Sequence, residues 1–194
     1  MDAPVVVGRR DRKRSATRQA LHESALRLAV ERGLGNVTVE EIADAAVVSR
    51  RTFFNYFASK EDAVLYGDLQ RLRRLIDLVA ARPVDEPPWT SLRHAGEQLV
   101  AEADSLDKIW RDRRRLLRRD PSLAAHQLAA YSGIEREIAE EVARRMPGED
   151  DLHSRVLAAR LTCCLRVATS YWLEGSERSL PEVTRAALAY SPVG

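Results

Sequence analysis

Arg50, Arg51, Thr52, Asn55 and Tyr56 follow Ser49 within a single short stretch. These side chains are the types that bond phosphate oxygens and base edges. An arginine fork matches guanine, asparagine matches adenine, and hydroxyls reach the backbone. Phe53 and Phe57 stand four apart among them and give a helix one apolar side, leaving the polar set on the other. Such chemistry needs a rigid rod, not a nucleophile. Nothing else in the sequence suggests catalysis. His22, His94, His126 and His153 are scattered, and there is no HExxH pair, phosphate-cradling glycine loop or G-x-S-x-G turn. No catalytic residue, metal ligand or cofactor is expected, and an enzyme is the disfavoured alternative.

The rod must be held, and the flanking residues carry the signals for that. Thr38 with Glu41 three residues on, then Ser49, then Ser59 with Asp62 three residues on, each mark a helix start. Ile42, Ala43 and Ala46 give the first short helix an apolar face. A short helix braced by another and showing a polar outer face is the helix-turn-helix arrangement, which reads the DNA major groove.

The chain of 194 residues is long enough for a small head and a larger body. Its net charge of +2 conceals a split. Residues 1–60 hold 11 Lys/Arg against 7 Asp/Glu, and the remainder 20 against 22. A basic head on a slightly acidic body fits a DNA-reading end and a second end with another task. No apolar run approaches the ~18 residues that cross a bilayer, and Val5-Val6-Val7 is too short for a signal peptide. A soluble, cytoplasmic protein without a membrane partner is expected. Cys163 and Cys164 are adjacent in an apolar helical run, where side chains point about 100° apart and cannot bridge. Reduced thiols packed in a core are the expectation.

Residues 1–12 hold no periodic pattern and read as a mobile arm, with Arg9, Arg10, Arg12, Lys13 and Arg14 clustered at its end. An amphipathic helix over about 14–32 (Leu21, Ala25, Leu28, Ala29) stops at Gly33 and Gly35. A long helix from Lys60 to about Ala81 ends at Pro83, Pro87 and Pro88. Further helices are predicted at about 90–106, 107–119, 121–146, 151–174 and 180–190, with Asp120-Pro121 as a cap and first-turn proline. The predicted fold class is all-α with about nine helices. It divides at 1–59, the arm and helix-turn-helix head, and 60–194, the ligand-binding and dimerisation body.

Residues 155–173 leave almost no polar face, and such a helix must be covered on nearly all sides. One small body covers one side; a second copy is the simplest cover for the other. A two-fold homodimer built on residues 151–190 as a four-helix interface is therefore expected, using Val156, Ala159, Cys163, Val167, Tyr171, Val183 and Ala187.

At this point the chain resembles the TetR family of bacterial transcriptional regulators. The family pattern is roughly T-V-x-x-I-A-x-x-A-G-V-S-x-x-T-x-Y-x-Y-F-x-S-K-E-x-L. The sequence offers Thr38-Val39, Ile42-Ala43, Ala46, Val48-Ser49, Thr52, Tyr56-Phe57, Ser59-Lys60-Glu61 and Val64-Leu65. A fainter likeness, in Arg115-Leu116-Leu117, Pro121-Ser122-Leu123 and Tyr171-Trp172-Leu173, is to regulators linked to mycofactocin or acyl-CoA metabolism. Two departures stand out. Val47 takes the place of the turn glycine, and a β-branched residue there predicts an ordinary backbone conformation. Phe54 replaces a tyrosine, losing a hydroxyl but gaining a surface for a thymine methyl.

The resemblance implies double-stranded DNA as partner. By match to the family, Arg50 reads a base edge, Asn55 reads adenine or bonds a phosphate, and Arg51 serves either role. Thr38, Ser49, Thr52, Tyr56 and Lys60 would position the DNA backbone, and the N-terminal arginines, Arg14 among them, enter a minor groove or neutralise phosphate. The resemblance also implies a small-molecule effector, apolar or acyl, among the helices of residues 90–174, with Trp110, Arg113, Leu117, Gln127, Tyr131 and Trp172 as candidate lining. Arg113 lies in the gap of an apolar stripe formed by Leu106, Ile109, Trp110, Leu116 and Leu117. A core-facing arginine needs an anionic partner, either an internal carboxylate or a ligand's acid group. Repression is the implied mode. The remaining alternatives are a non-specific DNA-coating protein and a regulator that needs no ligand.

Overall fold

Two apolar cores organise the chain, which was analysed as a computed structural model describing residues 8–102, 116, 120–148 and 150–190. The described residues form eight α-helices and a 3-10 turn, with no strand, as the all-α reading predicts. The order is α1 (Arg9–Arg32), the 3-10 turn (Leu34–Asn36), α2 (Val39–Ala45), α3 (Arg50–Phe54) and α4 (Lys60–Ala80). Then follow α5 (Pro88–Ala101), α6 (Pro121–Arg144), α7 (Asp151–Leu173) and α8 (Leu180–Ala189). The helix expected at 107–119 lies outside the described residues, apart from Leu116, which is helical and buried. No described helix is long and apolar enough to cross a membrane.

Compact units divide the chain differently from a single cut. One gathers the described residues of 1–67 and 112–127, the other those of 68–111 and 128–194. In the first, here the head, Leu21, Ala25 and Leu28 of α1 meet Ile42 and Ala43 of α2, Phe53 of α3, Phe57, and Ala63 and Val64 of α4. Leu116 and Leu123 complete this core. Each such fully buried large side chain contributes roughly 1.5–3 kcal/mol. Buried His22 donates from Nδ1 to the Ala63 carbonyl at 2.7 Å. Gly67 is needed beside it, since a Cβ there would lie 2.8 Å from the imidazole Nε2.

One expectation about the head fails at its start. The helix begins at Arg9, not near residue 14, so the last residues of the supposed arm are its first turn. Gly8 supplies the N-cap backbone, Asp11 sits in the first turn, and the long Arg and Lys stems are good helix formers. A search for apolar periodicity misses this turn because every side chain in it faces solvent.

In the second unit, the body, Leu75, Leu78 and Val79 of α4 pack with Leu92, Ala95 and Leu99 of α5. Ile134, Ile138 and Val142 of α6, Ala158 and Leu161 of α7, and Leu188 of α8 join them. Gly96 sits where α5 meets α7 and α8; a Cβ there would come 3.2 Å from both Leu161 and Leu188. The end of α4 is closed by a side chain from far along the sequence. Arg145, almost fully buried, donates to the carbonyls of Val79, Arg82 (3.2 Å) and Pro83 (3.4 Å), and pairs with Glu141 at 3.5 Å. The guanidinium thus gathers the last turn of α4 and the chain that leaves it around one side chain. Beside it Glu86 accepts from Arg82, from Ser91 and from His94, at 2.6–2.8 Å. The Arg82 bonds above all, against the opposing effect of burial, hold the Glu86 carboxyl down from 4.5 to about 2.

α7 is not covered all round. Ser154, Ala158, Leu161 and Ala168 face inward, while Leu152, Val156, Val167 and Tyr171 are exposed. The core reading of the cysteines is therefore corrected. Both are free, Cys164 half-buried but Cys163 exposed, because adjacent residues leave a helix in different directions and only one can face the core.

Candidate nucleic-acid interface

The reading helix is short and depends on its caps. At the start of α2, Glu41 N–H donates to the Thr38 hydroxyl (3.2 Å), and Thr38 N–H donates to the Glu41 carboxylate (2.9 Å). Bonds to this carboxylate from the Thr38 N–H and from the Thr38 hydroxyl (3.1 Å) lower the Glu41 pKa, with Arg32 adding to the effect and burial opposing it. Arg32 also reaches Glu41 at 2.9 Å, tying the end of α1 to the start of α2. At the start of α3, Thr52 N–H donates to Ser49 Oγ at 3.0 Å and the two hydroxyls share a 2.8 Å bond. Asp62 N–H donates to Ser59 Oγ (3.1 Å) at the start of α4. All three expected caps are present.

The turn between α2 and α3 overturns one sequence expectation. Val47 has φ +55°, the left-handed conformation that a β-branched residue was predicted to avoid. The reason lies in the neighbouring hydrogen bonds. Val48 N–H donates to the Ala43 carbonyl (2.9 Å) and Val47 N–H to the Asp44 carbonyl (3.0 Å). That nested pair is the Schellman ending, which requires a left-handed residue at this place whatever its side chain. Ala43 and half-buried Val48 belong to the head core, so packing holds both partners while Val47 itself is 91% exposed. The strain costs about 1–2 kcal/mol.

Helix α3 ends at Phe54; Asn55 is its C-cap and Tyr56 lies in the turn beyond. The continuous rod expected through Tyr56 is thus shorter than the sequence suggested, since its last turn tightens: Asn55 N–H is shared between the Arg51 (3.2 Å) and Thr52 (3.1 Å) carbonyls, and Tyr56 N–H donates to the Phe53 carbonyl at 2.9 Å. Arg50, Arg51, Phe54 and Asn55 are exposed, and Thr52 and Tyr56 are half-buried. Arg50 bonds Glu40 at 2.8 Å, and its guanidinium lies 5.6 Å from the centre of the Phe54 ring. Lys60 is occupied inside the head, donating to the carbonyls of Leu34 (2.7 Å) and Val37 (2.9 Å). Arg14 projects from the exposed start of α1. Sequence reading passed over Arg18, one turn beyond Arg14, whose guanidinium sits over Tyr56 and Tyr66. The only signal was that i, i+4 spacing.

Of the candidate effector residues, Trp110, Arg113 and Leu117 lie outside the described residues. Gln127, Tyr131 and Trp172 are half-buried; Gln127 belongs to the head unit, and Tyr131 and Trp172 to the body. Sequence reading missed Arg71 of α4, in the same unit as Tyr131: burial lowers its pKa, and Tyr131 opposes that. Of the candidate pairing surface, Val156, Cys163, Val167 and Tyr171 are exposed, Ala159 and Ala187 half-buried, and Val183 buried within its own chain. Among the described residues no group of three His, Cys, Asp or Glu is placed to hold a metal ion.

A family model described as bacterial regulatory proteins, tetR family, matches residues 21–65, the span from α1 through the start of α4. A second, described as the MftR C-terminal domain, matches residues 86–191 and so covers more than half of the chain. The chain belongs to the TetR family. It is 31% identical over 185 residues to a Mycobacterium tuberculosis protein that bears the name of a mycofactocin biosynthesis transcriptional regulator, MftR; the match spans 91% of this chain and 89% of that one. It is 30% identical over 187 residues to the HTH-type transcriptional regulator TcmR of Streptomyces glaucescens, across 92% and 83% of the two chains. Among solved structures, that of Thermus thermophilus FadR, a TetR family transcriptional repressor in complex with lauroyl-CoA, shares the fold. There the TM-score is 0.51 and the identity 24%, over 91% of this chain and 98% of that one. Membership makes this a DNA-binding transcriptional regulator with a helix-turn-helix, and the family match spans the capped α2–α3 pair.

Proposed function

We propose that this TetR-family regulator is a repressor that binds a palindromic operator as a homodimer and is released by a small apolar or acyl ligand. In this reading residues 1–59 read DNA and residues 60–194 sense and dimerise. The observation that carries it is α3, whose ends are fixed by Ser49 and by the Phe53–Phe57 anchor while Arg50, Arg51 and Asn55 stay exposed. Arg50 is the base reader, suited to guanine, and Asn55 reads adenine or a phosphate. Arg51, Phe54, Tyr56 and Arg14 flank them; Thr38, Ser49 and Thr52 fix the helix starts; Lys60 braces the head from within.

Pairing is supported by the exposed apolar side of α7, where Val156, Cys163, Val167 and Tyr171 lie along one stripe. A second copy related by a two-fold axis would cover that stripe with its own and deliver two reading helices to successive major grooves, about 34–36 Å apart. Val183 serves this interface only from beneath, supporting α8. The effector class is supported by the match to the MftR C-terminal domain and by the lauroyl-CoA bound to the FadR relative of the same fold. Release requires that the ligand bind one conformation of the body more tightly than the other.

Light scattering of the protein alone and on a duplex tests the pairing. The reading expects two protomers in each case, and Tyr171→Asp should yield monomers; a wild-type monomer at micromolar concentration would overturn it. Titrating lauroyl-CoA and free fatty acids into the protein–operator complex tests release. A rise in melting temperature together with lost operator binding supports it, and no response to any of them removes the acyl assignment. Binding to random duplex as tightly as to any selected site would instead favour the DNA-coating alternative.

A further inference from the structure

We propose that Arg18 is a DNA-phosphate contact of the head, aimed by two tyrosines; this rests on the DNA-binding reading above. Arg18 lies one turn beyond Arg14 on α1, so the two project from the same side of that helix. Its guanidinium carbon lies 5.6 Å from the centre of the Tyr56 ring and 5.7 Å from that of Tyr66. Tyr56 directly follows the reading helix. Tyr66, on α4, is itself held by edge contacts with Phe57 (5.5 Å) and His22 (5.7 Å). The cation is therefore fixed beside the turn that ends α3 by aromatic rings and, among the described residues, not by a carboxylate.

That choice of partners matters. Among the described residues Arg18 has no ion pair and no hydrogen bond, and its Nε is buried without an acceptor. Compare Arg50, Arg32 and Arg82, each of which has a carboxylate within 3 Å. An arginine that only braced the fold would be expected to satisfy its donors within the protein, because a partly desolvated and unpaired cation is unfavourable. Ring faces hold a guanidinium in place while leaving its terminal N–H groups available. A fork that is immobilised, positively charged and, among the described residues, unneutralised at the turn after the reading helix fits a phosphate oxygen, which supplies both the missing acceptors and the missing charge. The contact carries no sequence information and sets the register of α3 on the duplex.

The test measures binding of the full chain to a fluorescein-labelled duplex of mixed sequence, about 30 base pairs long, between 50 and 300 mM KCl. Wild type, Arg18→Met and Arg18→Lys are compared, and the melting temperature of each free protein is recorded. If Arg18 neutralises one phosphate, Arg18→Met lowers the slope of log affinity against log salt by about 0.9 per bound protomer. Arg18→Lys keeps the slope. Weaker binding by Arg18→Met with an unchanged slope would make Arg18 a brace for Tyr56 and overturn the contact, as would affinity equal to wild type. Should Arg18→Met melt early, Arg18→Gln gives the same readout with a planar amide retained between the rings. A wild-type protein without salt-dependent affinity for the duplex would refute the DNA-binding reading itself; a wild type that binds while the variant slope stays unchanged refutes only the Arg18 contact.

Discussion

The head and the body use polar and apolar groups in opposite ways. In the head, the polar groups brace its own backbone: Thr38 with Glu41 and Ser49 with Thr52 cap helices, buried His22 holds the Ala63 carbonyl, and Lys60 holds those of Leu34 and Val37. What remains exposed around α3 is chiefly arginine and asparagine. In the body the charged groups turn inward, with Arg145, Glu141 and Glu86 knotted around the end of α4. Along the exposed side of α7 run Val156, Cys163, Val167 and Tyr171. The head has an apolar core of its own and exposed arginines around α3. The body has a core of its own and an exposed apolar stripe on α7. This contrast is what ties DNA to one half and a second copy to the other in the proposed function.

The largest effect that should separate the halves comes from Phe53→Ala. Phe53 is fully buried in the head core, so its truncation should cost about 3–5 kcal/mol of head stability and abolish DNA binding. The body core contains no part of that ring, so light scattering should still report the wild-type assembly; dissociation of the variant would break the contrast. A smaller change of opposite sign is expected from Val47→Gly. Glycine removes the left-handed strain and gives back part of the gain as chain entropy, for a net stabilisation of about 1 kcal/mol by urea unfolding. A destabilised glycine variant would mean that the valine side chain is worth more than its backbone strain. The smallest effect is Glu40→Gln. Its pair with Arg50 is exposed and worth under about 1 kcal/mol, and duplex binding has to compete with it. Affinity should rise a few-fold at low salt and converge with wild type at high salt; weaker binding would show that Glu40 orients Arg50 for its task.

Much of the head was legible because its signals are local. A hydroxyl three residues before a carboxylate writes a helix start into four letters, and the Thr38 and Ser49 caps formed as written. Asn55 and Tyr56 were read as part of the helix but lie beyond its end, because the last turn tightens onto the Thr52 and Phe53 carbonyls, a change that leaves no letter of its own. Val47 misled for a different reason: intrinsic preference argued against a left-handed backbone, and the Schellman bonds from Val47 and Val48 outweighed it. Features that join distant segments left no trace in the letters. Arg145 closing α4 spans more than sixty residues, and Arg18 over Tyr56 and Tyr66 requires knowing how three segments pack. Cys163 was misread with Cys164 because composition cannot say which of two neighbouring side chains faces inward.

The most direct test of the central claim, that α3 reads a duplex groove from each of two paired chains, is selection of bound duplexes from a random pool, run in parallel with wild type and Arg50→Ala. The account predicts a palindrome with half-site centres one helical turn apart, about 34–36 Å. It also predicts relaxed preference at one base pair of each half-site in the variant, a cost of roughly 1–3 kcal/mol. A wild-type selection with no enriched two-fold motif, or an identical motif of equal affinity for Arg50→Ala, would contradict it.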